Sequence, residues 1–416
     1  MSTILDLAGK TGTPRRPSSV EPIVSRVTLV TPMFIAGADN RAQRSERRQV
    51  VQEMVPSRAV ETEGLRSASV KAAIRFWWRA GFDPQRGLDA MLRDEAELFG
   101  AIAGGQDRHQ GQGLVVRTRV LNGWTAEPPK EIGGPCRELS YLAYGCADLN
   151  GPLRPAIVAG AQAEIALLAR KAVHRSAAEQ ALERWMLFGN LGAKSRRGWG
   201  SVTDGRWSDG AALAAAIGKH LQTGGSTAPL WSSLHGAEVL LKDLGNGPWS
   251  SALNELGRLF HQFRKDLGAD IIRFNPKEYT RPPGKDHNRV HSWLKGGGMR
   301  DGKAGDTSDT LPDRAGFGLP YPLQFSSLDN AKVSMEPAFD KEGGRRASPV
   351  VFKVHCCNGR WWGMATILAG QFLPDRVEVR VATRGKKTSL PIAKRPPVLA
   401  VFSTYLQSNG FTRIIP

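Results

Sequence analysis

The chain has 416 residues, and 57 Lys and Arg against 39 Asp and Glu give a formal net charge of +18. A hydrophobic content of 41% with 23% charged residues is typical of a globular protein and excludes general disorder, and no apolar run reaches the ~18 residues of a membrane-spanning helix. Four cysteines without a C-x-x-C pair argue against a disulfide framework or thiol chemistry and favour reduced thiols in a cytoplasm. The charge predicts a polyanionic partner, nucleic acid first, with a merely basic protein as the alternative.

The first half of the chain alternates between strand and helix signals. Residues 1–22 predict a flexible tail, and the charged stretch 41–58 predicts an exposed loop or hairpin. The predicted elements are a strand at 24–30, a helix capped by Ser67 or Ser69 and running to Ala80, strands at 114–121 and within 156–168, and a helix that begins at Ser176 with Glu179 as its capping box and ends at Gly189. This order predicts an α+β fold.

The second half repeats the pattern more weakly. Its predicted elements are a strand at 237–241, a helix at 248–267, strands at 349–355, 361–368 and 377–381, and a helix at 398–407. A segment rich in Gly, Asp and Lys, residues 284–310, predicts a long insertion. We therefore expect two similar domains, 23–204 and 235–416, joined by a linker at 205–234.

Two segments have the composition of a nucleic-acid contact. Lys71, Arg75 and Arg79 form an i, i+4, i+8 stripe on the first helix, with Trp78 at the seam between this stripe and the apolar face. Trp77 is predicted in the core, whereas Trp78 is left open between the core and base stacking. The glycine-rich segment 192–201 follows the second long helix and offers cations and free backbone N–H groups. A tight turn and a solvated helix face are the structural alternatives.

The sequence contains no complete motif for catalysis or for metal binding. Gly297 to Lys303 resembles a P-loop, but Ala304 stands where a hydroxyl would hold Mg²⁺. His287 and His291 have no third metal ligand in view, and there is no G-x-S-x-G. No metal or cofactor is therefore expected. His109, in a glycine-rich stretch, is kept as a candidate general base, although a solvated histidine is the simpler interpretation.

The two segments also resemble a known family. Leu65 to Arg79 and Leu187 to Ser201 are similar to the helix motif and the glycine-rich loop of the RAMP superfamily, in the form found in the first-numbered RAMP subunit of type III-B (Cmr) CRISPR effectors. Supporting similarities are Thr31–Asp39 and Tyr141–Gly145, with weaker ones at Phe317–Tyr321 and Arg345–Pro349. The chain departs from the family pattern at Ser67 and Ala68, where prolines are usual, and at Ala36, Ala72 and Asn190, where glycines are usual.

The resemblance implies two ferredoxin-like RAMP domains in tandem and a non-catalytic, RNA-binding subunit of an antiviral ribonucleoprotein. Its implied partners are guide RNA, the target RNA paired to it and other RAMP subunits, with no membrane. A metal-independent endoribonuclease that processes guide RNA is the alternative, and a basic scaffold is a third. The residues predicted to contact RNA are Arg44, Arg48, Lys71, Arg75, Trp78, Arg79, Gly192, Lys194, Ser195, Arg196, Arg197 and Gly198.

Overall fold

The computed structural model describes residues 21–35, 61–62, 64–100, 113–133, 136–148, 150–222, 229–266, 290, 312–325, 331–339, 344–375, 377–383, 386–390 and 396–416. Several predicted features lie outside these residues. They are the tail up to residue 20, the charged stretch 41–58 with Arg44 and Arg48, His109, His287, His291 and the insertion 284–310 apart from Val290.

The first half has a main sheet of four antiparallel strands with two connecting helices, accompanied by two short two-stranded sheets. Its elements are β1 (Ile23–Leu29), α1 (Ser67–Ala80), α2 (Gly87–Phe99), β2 (Leu114–Val120), β3 (Ala126–Glu127), α3 (Arg137–Ala143), β4 (Ala147–Asp148), β5 (Gly151–Pro152), β6 (Ala156–Ile157), β7 (Gln162–Ala169), α4 (Ala172–Phe188) and β8 (Val202–Thr203). The sheet order is β2-β7-β1-β8, and each neighbouring pair is antiparallel. With α1 and α4 as the connecting helices, this is the βαββαβ arrangement of a ferredoxin-like domain.

The second half repeats this topology. Its elements are α5 (Gly210–His220), β9 (Ser233–Gly245), α6 (Trp249–Asp266), β10 (Tyr321–Phe325), β11 (Ala331–Pro337), β12 (Val350–Cys357), β13 (Arg360–Ala369), β14 (Val379–Thr383), β15 (Lys386–Leu390), α7 (Val398–Ser408) and β16 (Thr412–Ile414). The sheet order is β12-β13-β9-β16, again antiparallel, with α6 and α7 as the connecting helices. The predicted tandem of ferredoxin-like domains is confirmed.

A third sheet is inserted into the second half. The hairpin β10–β11 lies between α6 and β12 in the sequence, and the hairpin β14–β15 lies between β13 and α7. Pairing of β11 with β14 joins the two hairpins into one four-stranded antiparallel sheet. Its core contains Val333, Met335, Val379 and Val381.

Helix boundaries show where local sequence signals failed. Helix α4 begins at Ala172 and not at Ser176, so the predicted capping box is wrong; the Glu179 carboxylate instead accepts an ion pair from Arg175 at 3.0 Å. No side chain caps α1, because Arg66 occupies the cap position. Helices α2 and α5 were not predicted. Helix α5, capped by the Asp209 carboxylate, lies within the segment expected to be a linker.

The two halves share their interior. Phe34 and Trp199 come from the first half, yet they pack in the core cluster that contains Phe260, Phe352 and Phe402 of the second half. The Trp199 ring centroid lies 4.9 Å from that of Phe34 and 5.8 Å from that of Trp249. Trp199 belongs to the glycine-rich segment, so this loop is anchored between the two sheets.

Candidate nucleic-acid interface

The glycine-rich loop, residues 189–201, connects α4 to β8 and crosses the end of β1. The Gly200 N–H donates to the Pro32 carbonyl at 2.9 Å, and the Gly200 carbonyl accepts from the Leu191 N–H at 2.9 Å. Gly200 has φ of +68°, and a Cβ on it would lie 1.9 Å from the Leu191 carbonyl oxygen. A side chain at this position would therefore force the backbone apart, which explains the glycine.

The other side of the loop lies along β12, the edge strand of the second sheet. The Phe352 N–H donates to the Arg196 carbonyl at 3.1 Å, and the Asn190 amide donates to the Phe352 carbonyl at 2.7 Å. The Ser201 hydroxyl accepts from the Val354 N–H at 3.2 Å and donates to the Asn190 amide oxygen at 2.8 Å. These contacts fix the loop conformation from both domains.

Two cations of the loop point inward. The Arg196 guanidinium donates to the Ser348 carbonyl at 2.6 Å and lies 5.0 Å from the Phe76 ring centroid. The Arg197 guanidinium lies 4.4 Å from the Phe260 centroid, and its buried Nη1 has no hydrogen-bond partner among the described residues. Burial lowers the pKa of each to about 10, so both keep their charge at neutral pH. They contribute to the domain junction.

A buried lysine joins the same junction. Lys353, on β12, is completely buried, and its ammonium donates to the Gly189 carbonyl and to the Val202 carbonyl, the latter at 2.9 Å. Burial lowers the pKa of Lys353 to about 7. The neighbouring His355 ring bonds the Leu187 carbonyl at 2.9 Å, and burial holds the pKa of that ring well below its usual range. Both side chains connect the second sheet to the ends of α4 and β8.

The cationic stripe of α1 faces α2. The Lys71 ammonium donates to the Phe99 carbonyl at the end of α2, at 2.7 Å. Arg75 and Arg79 both pair with Glu95, whose side chain is 2% exposed, and the Arg79 Nε donates to Glu95 Oε2 at 3.2 Å. Because α2 was not predicted, neither was this use of the three charges. They hold α2 against α1, while the Arg75 and Arg79 side chains remain 41% and 36% exposed. The contact of this stripe with phosphates stays a prediction.

Both tryptophans of α1 are buried. Trp77 is 3% exposed and packs against Phe188, with ring centroids 5.5 Å apart. Trp78 is 7% exposed and packs against Phe82 and Phe99, at 5.3 and 5.9 Å. The core interpretation of Trp77 agrees with this placement, and Trp78 lies in the core as well. Only a small part of its ring is accessible to a base, because Phe82 and Phe99 pack against it.

An open cavity of about 500 Å³ lies between the N-terminal part of α1, the end of β1 and the glycine-rich loop. Its apolar wall includes Met33, Ile35, Phe76, Trp77 and Val351. Its polar lining consists of Arg66, Ser69, Asn190, Ser195 and Arg196, together with the backbone of Gly192. An apolar cavity of this size with a few convergent polar groups is typical of a ligand site.

Lys194 differs from the other two loop cations, Arg196 and Arg197, in its surroundings. Its φ is +62°, a left-handed conformation that is uncommon outside glycine and often marks a functional position. Within the described part of the chain its ammonium forms neither an ion pair nor a hydrogen bond. Gly192 beside it is exposed, whereas Gly198 is buried against Leu253. The loop thus separates into an outward half at 192–195 and an inward half at 196–201.

Sequence reasoning missed the partners that decide these roles. The bonding partners of three residues, Glu95, Asn190 and Lys353, are distant in the sequence, so no local pattern reveals them. Glu95 pairs with two arginines of α1, Asn190 bonds Phe352, and Lys353 bonds residues of the first half. The only sequence signal was Asn190 itself, an amide in place of a usual glycine. Among the described residues there is no group of three or more His, Cys, Asp or Glu side chains arranged to hold a metal ion.

The sequence and fold were compared with known proteins. Residues 26–203 match the RAMP superfamily. These residues therefore resemble a RAMP domain. The match ends at β8 and includes α1, α4 and the glycine-rich loop. No curated protein sequence matches the chain significantly.

Solved structures extend the likeness beyond residues 26–203. The crystal structure of Cmr1 from Pyrococcus furiosus in its apo form superimposes with a TM-score of 0.51 at 15% identity, over 94% of this chain and 98% of that one. A chain of the cryo-EM structure of the type III-B Cmr-beta bound to cognate target RNA gives 0.41 at 10% identity, over 93% and 99%. A further state of that complex, with AMPPnP and ssDNA, gives 0.42 at 10% identity, over 92% and 98%. The likeness to Cmr1 shows a shared fold in both halves.

Proposed function

We propose that this chain is a non-catalytic, RNA-binding subunit of a type III-B CRISPR effector, in contact with the 3′ part of the guide RNA, with the target RNA paired to it, or with both. The single observation that carries the proposal is the glycine-rich loop at the junction of two ferredoxin-like domains. It presents exposed backbone and, beside a cavity of about 500 Å³, a lysine that has no ion-pair or hydrogen-bond partner among the described residues. Loops fixed by a rigid scaffold are the usual place for such contacts.

The charge of the chain supports the same proposal. The net charge is +18, and three of the six arginines first chosen as phosphate contacts, Arg75, Arg79 and Arg196, are bonded inside the chain. Binding should therefore use a smaller set of loop groups, namely Gly192, Lys194 and Ser195, together with residues lining the cavity. Backbone N–H groups and a lysine bind phosphates without reading sequence, as a subunit that holds guides of many sequences requires.

The experiment that tests the proposal is purification of the tagged full chain from its native cells under mild salt, with sequencing of bound RNA and mass spectrometry of bound proteins. We expect RAMP subunits and short RNAs that share a constant, repeat-derived portion. Recovery of the chain without either would overturn the assignment.

Affinity and catalysis are measured on the purified complex. The logarithm of the affinity for single-stranded RNA should fall with the logarithm of salt, by about 0.7 per phosphate contact. Labelled repeat RNA should remain uncut with and without Mg²⁺. A salt-insensitive affinity contradicts the phosphate contacts, and defined cleavage by this chain would support the endoribonuclease alternative.

A further inference from the structure

An exposed tyrosine stands directly after α3. Tyr144 is 76% exposed, more than any other aromatic side chain that the structure describes. Its backbone is held in a turn, because the Cys146 N–H donates to the Ala143 carbonyl at 2.7 Å and the Gly145 N–H donates to the Ala147 carbonyl at 3.1 Å. The phenol ring is therefore presented to solvent from a fixed backbone.

Lys194 reaches this turn from the glycine-rich loop. A Cβ built on Gly145 would lie 3.6 Å from the Lys194 ammonium, so the charge stands over the residue that follows Tyr144. The Lys194 side chain reaches the turn from a left-handed backbone, and Gly145 itself has a positive φ of +87°, which favours glycine there.

A second cation lies close by. The Leu153 N–H donates to the Cys146 carbonyl at 2.9 Å, which places the next residue, Arg154, beside the same turn. The charges of Lys194 and Arg154 partly oppose the rise that burial causes in the pKa of the Cys146 thiol. Within the residues described, neither Lys194 nor Arg154 has an ion-pair or side-chain hydrogen-bond partner. This distinguishes them from Arg75, Arg79 and Arg196, whose guanidinium groups are already bound inside the chain.

We propose that Tyr144, Lys194 and Arg154, which we call the tyrosine patch, bind one nucleotide of single-stranded RNA. The base stacks on the Tyr144 ring, and the adjoining phosphates lie against the two cations. This combination is how proteins hold single strands without sequence preference. The inference deepens the proposed function and rests on it. RNA is the occupant that the charge favours, since the patch combines two unpaired cations with an aromatic face on a chain of net charge +18.

The test measures binding of a fluorescein-labelled oligouridine RNA to the full chain by anisotropy, over a series of salt concentrations. Tyr144→Ala should weaken binding about tenfold, as the loss of one base stack predicts, and should leave the salt slope unchanged because no charge is lost. Tyr144→Phe should retain nearly the wild-type affinity. Lys194→Ala and Arg154→Ala should each lower the salt slope by about 0.7 or less.

Matched controls lie elsewhere on the surface. Phe339→Ala removes another exposed aromatic ring, and Lys219→Ala removes an exposed lysine at the end of α5; neither should change the affinity as much. The high exposure of Tyr144 means that its variants should melt like the wild type. Photocrosslinking with 5-iodouridine RNA should attach the label to the peptide that contains Tyr144.

The outcomes separate the two proposals. If the wild-type chain does not bind oligouridine, the proposed RNA-binding function fails together with the patch. If the wild type binds and Tyr144→Ala binds equally well, only the patch fails, and the exposed ring then serves a protein partner. Equal losses for Tyr144→Phe and Tyr144→Ala would also overturn base stacking, because phenylalanine keeps the ring face.

Discussion

The two halves of the molecule share one topology and differ at one connection. In the second half, α7 reaches the fourth strand through residues 409–411 alone. In the first half, the equivalent connection is the glycine-rich loop, residues 189–201, which crosses β1, lies on β12 and lines the cavity. The same fold therefore closes with a short turn in one domain and with a long, cavity-lining loop in the other.

This difference places the candidate site in the loop between the second helix and the fourth strand, and not in the strands and helices that the two halves share. Each half contains a four-stranded antiparallel sheet with two connecting helices, so topology alone does not select the half that carries the candidate site. What distinguishes the first half is a loop held from two sides, with glycine where the backbone approaches closely and a lysine pointing outward. Substitutions at equivalent positions of the two halves can test this.

The largest effect is expected from the glycine two residues before each fourth strand. Gly200→Ala combines a φ of +68° with a Cβ 1.9 Å from a carbonyl oxygen, and should cost at least about 4 kcal/mol of unfolding free energy. Gly410→Ala meets no atom closer than 3.8 Å at a φ of +84°, and should cost about 1 kcal/mol. Urea unfolding of both variants measures the difference. Equal losses would mean that the loop is no more constrained than the short turn.

The next largest effect concerns the first helix of the first half. Trp78→Ala should lower the unfolding free energy by about 3 kcal/mol, because it opens a cavity between α1 and α2. The RNA affinity of the folded fraction should not change. Thermal melts and RNA titrations, with Trp77→Ala as the buried reference, check this. A selective loss of affinity would return Trp78 to the RNA site.

A pH experiment examines the contact between the halves. The pKa of Lys353 is lowered by burial from 10.5 to about 7, so between these values the unfolded chain binds the extra proton and stability rises with pH. The rise should approach about 1.4 kcal/mol per pH unit and be absent in Lys353→Met. Burial also raises the pKa values of the Cys146 and Cys357 thiols, so these two groups lower the stability as the pH rises in the alkaline range. They do so equally in the wild type and in Lys353→Met, so the difference between the two proteins reports Lys353 alone. Parallel curves for the two proteins would contradict a buried, proton-releasing lysine.

The smallest effect separates helix charges from loop charges. Arg75→Ala removes one of two partners of Glu95 and should cost about 1 kcal/mol, since its own side chain is 41% exposed. It should leave the salt slope of RNA binding unchanged, whereas Lys194→Ala should lower it. A reduced slope for Arg75→Ala would show that the helix stripe also binds phosphates.

Sequence periodicity predicted much of this architecture. The alternation in β1 and β7 and the helical spacing in α1 and α4 depend on local burial, so they are readable without a structure. The glycine-rich loop was also found, because its composition is unusual. The direction of each cation was not predictable, since Arg197 turns toward Phe260 and Lys194 toward Gly145, and these neighbours lie far away in the sequence. Lys353 was missed because both sides of β12 are covered, which removes the alternation that marks an exposed position.

The coverage of β12 by the glycine-rich loop also bears on how the chain avoids self-association. An edge strand normally presents unpaired N–H and carbonyl groups that invite pairing with another chain. Here the Phe352 and Val354 N–H groups and the Phe352 carbonyl are bonded by the loop of the other half. A fragment that begins after residue 229 would expose this edge together with Phe352. We therefore expect the second half to aggregate when it is expressed alone, and to remain monomeric when the first half covers β12.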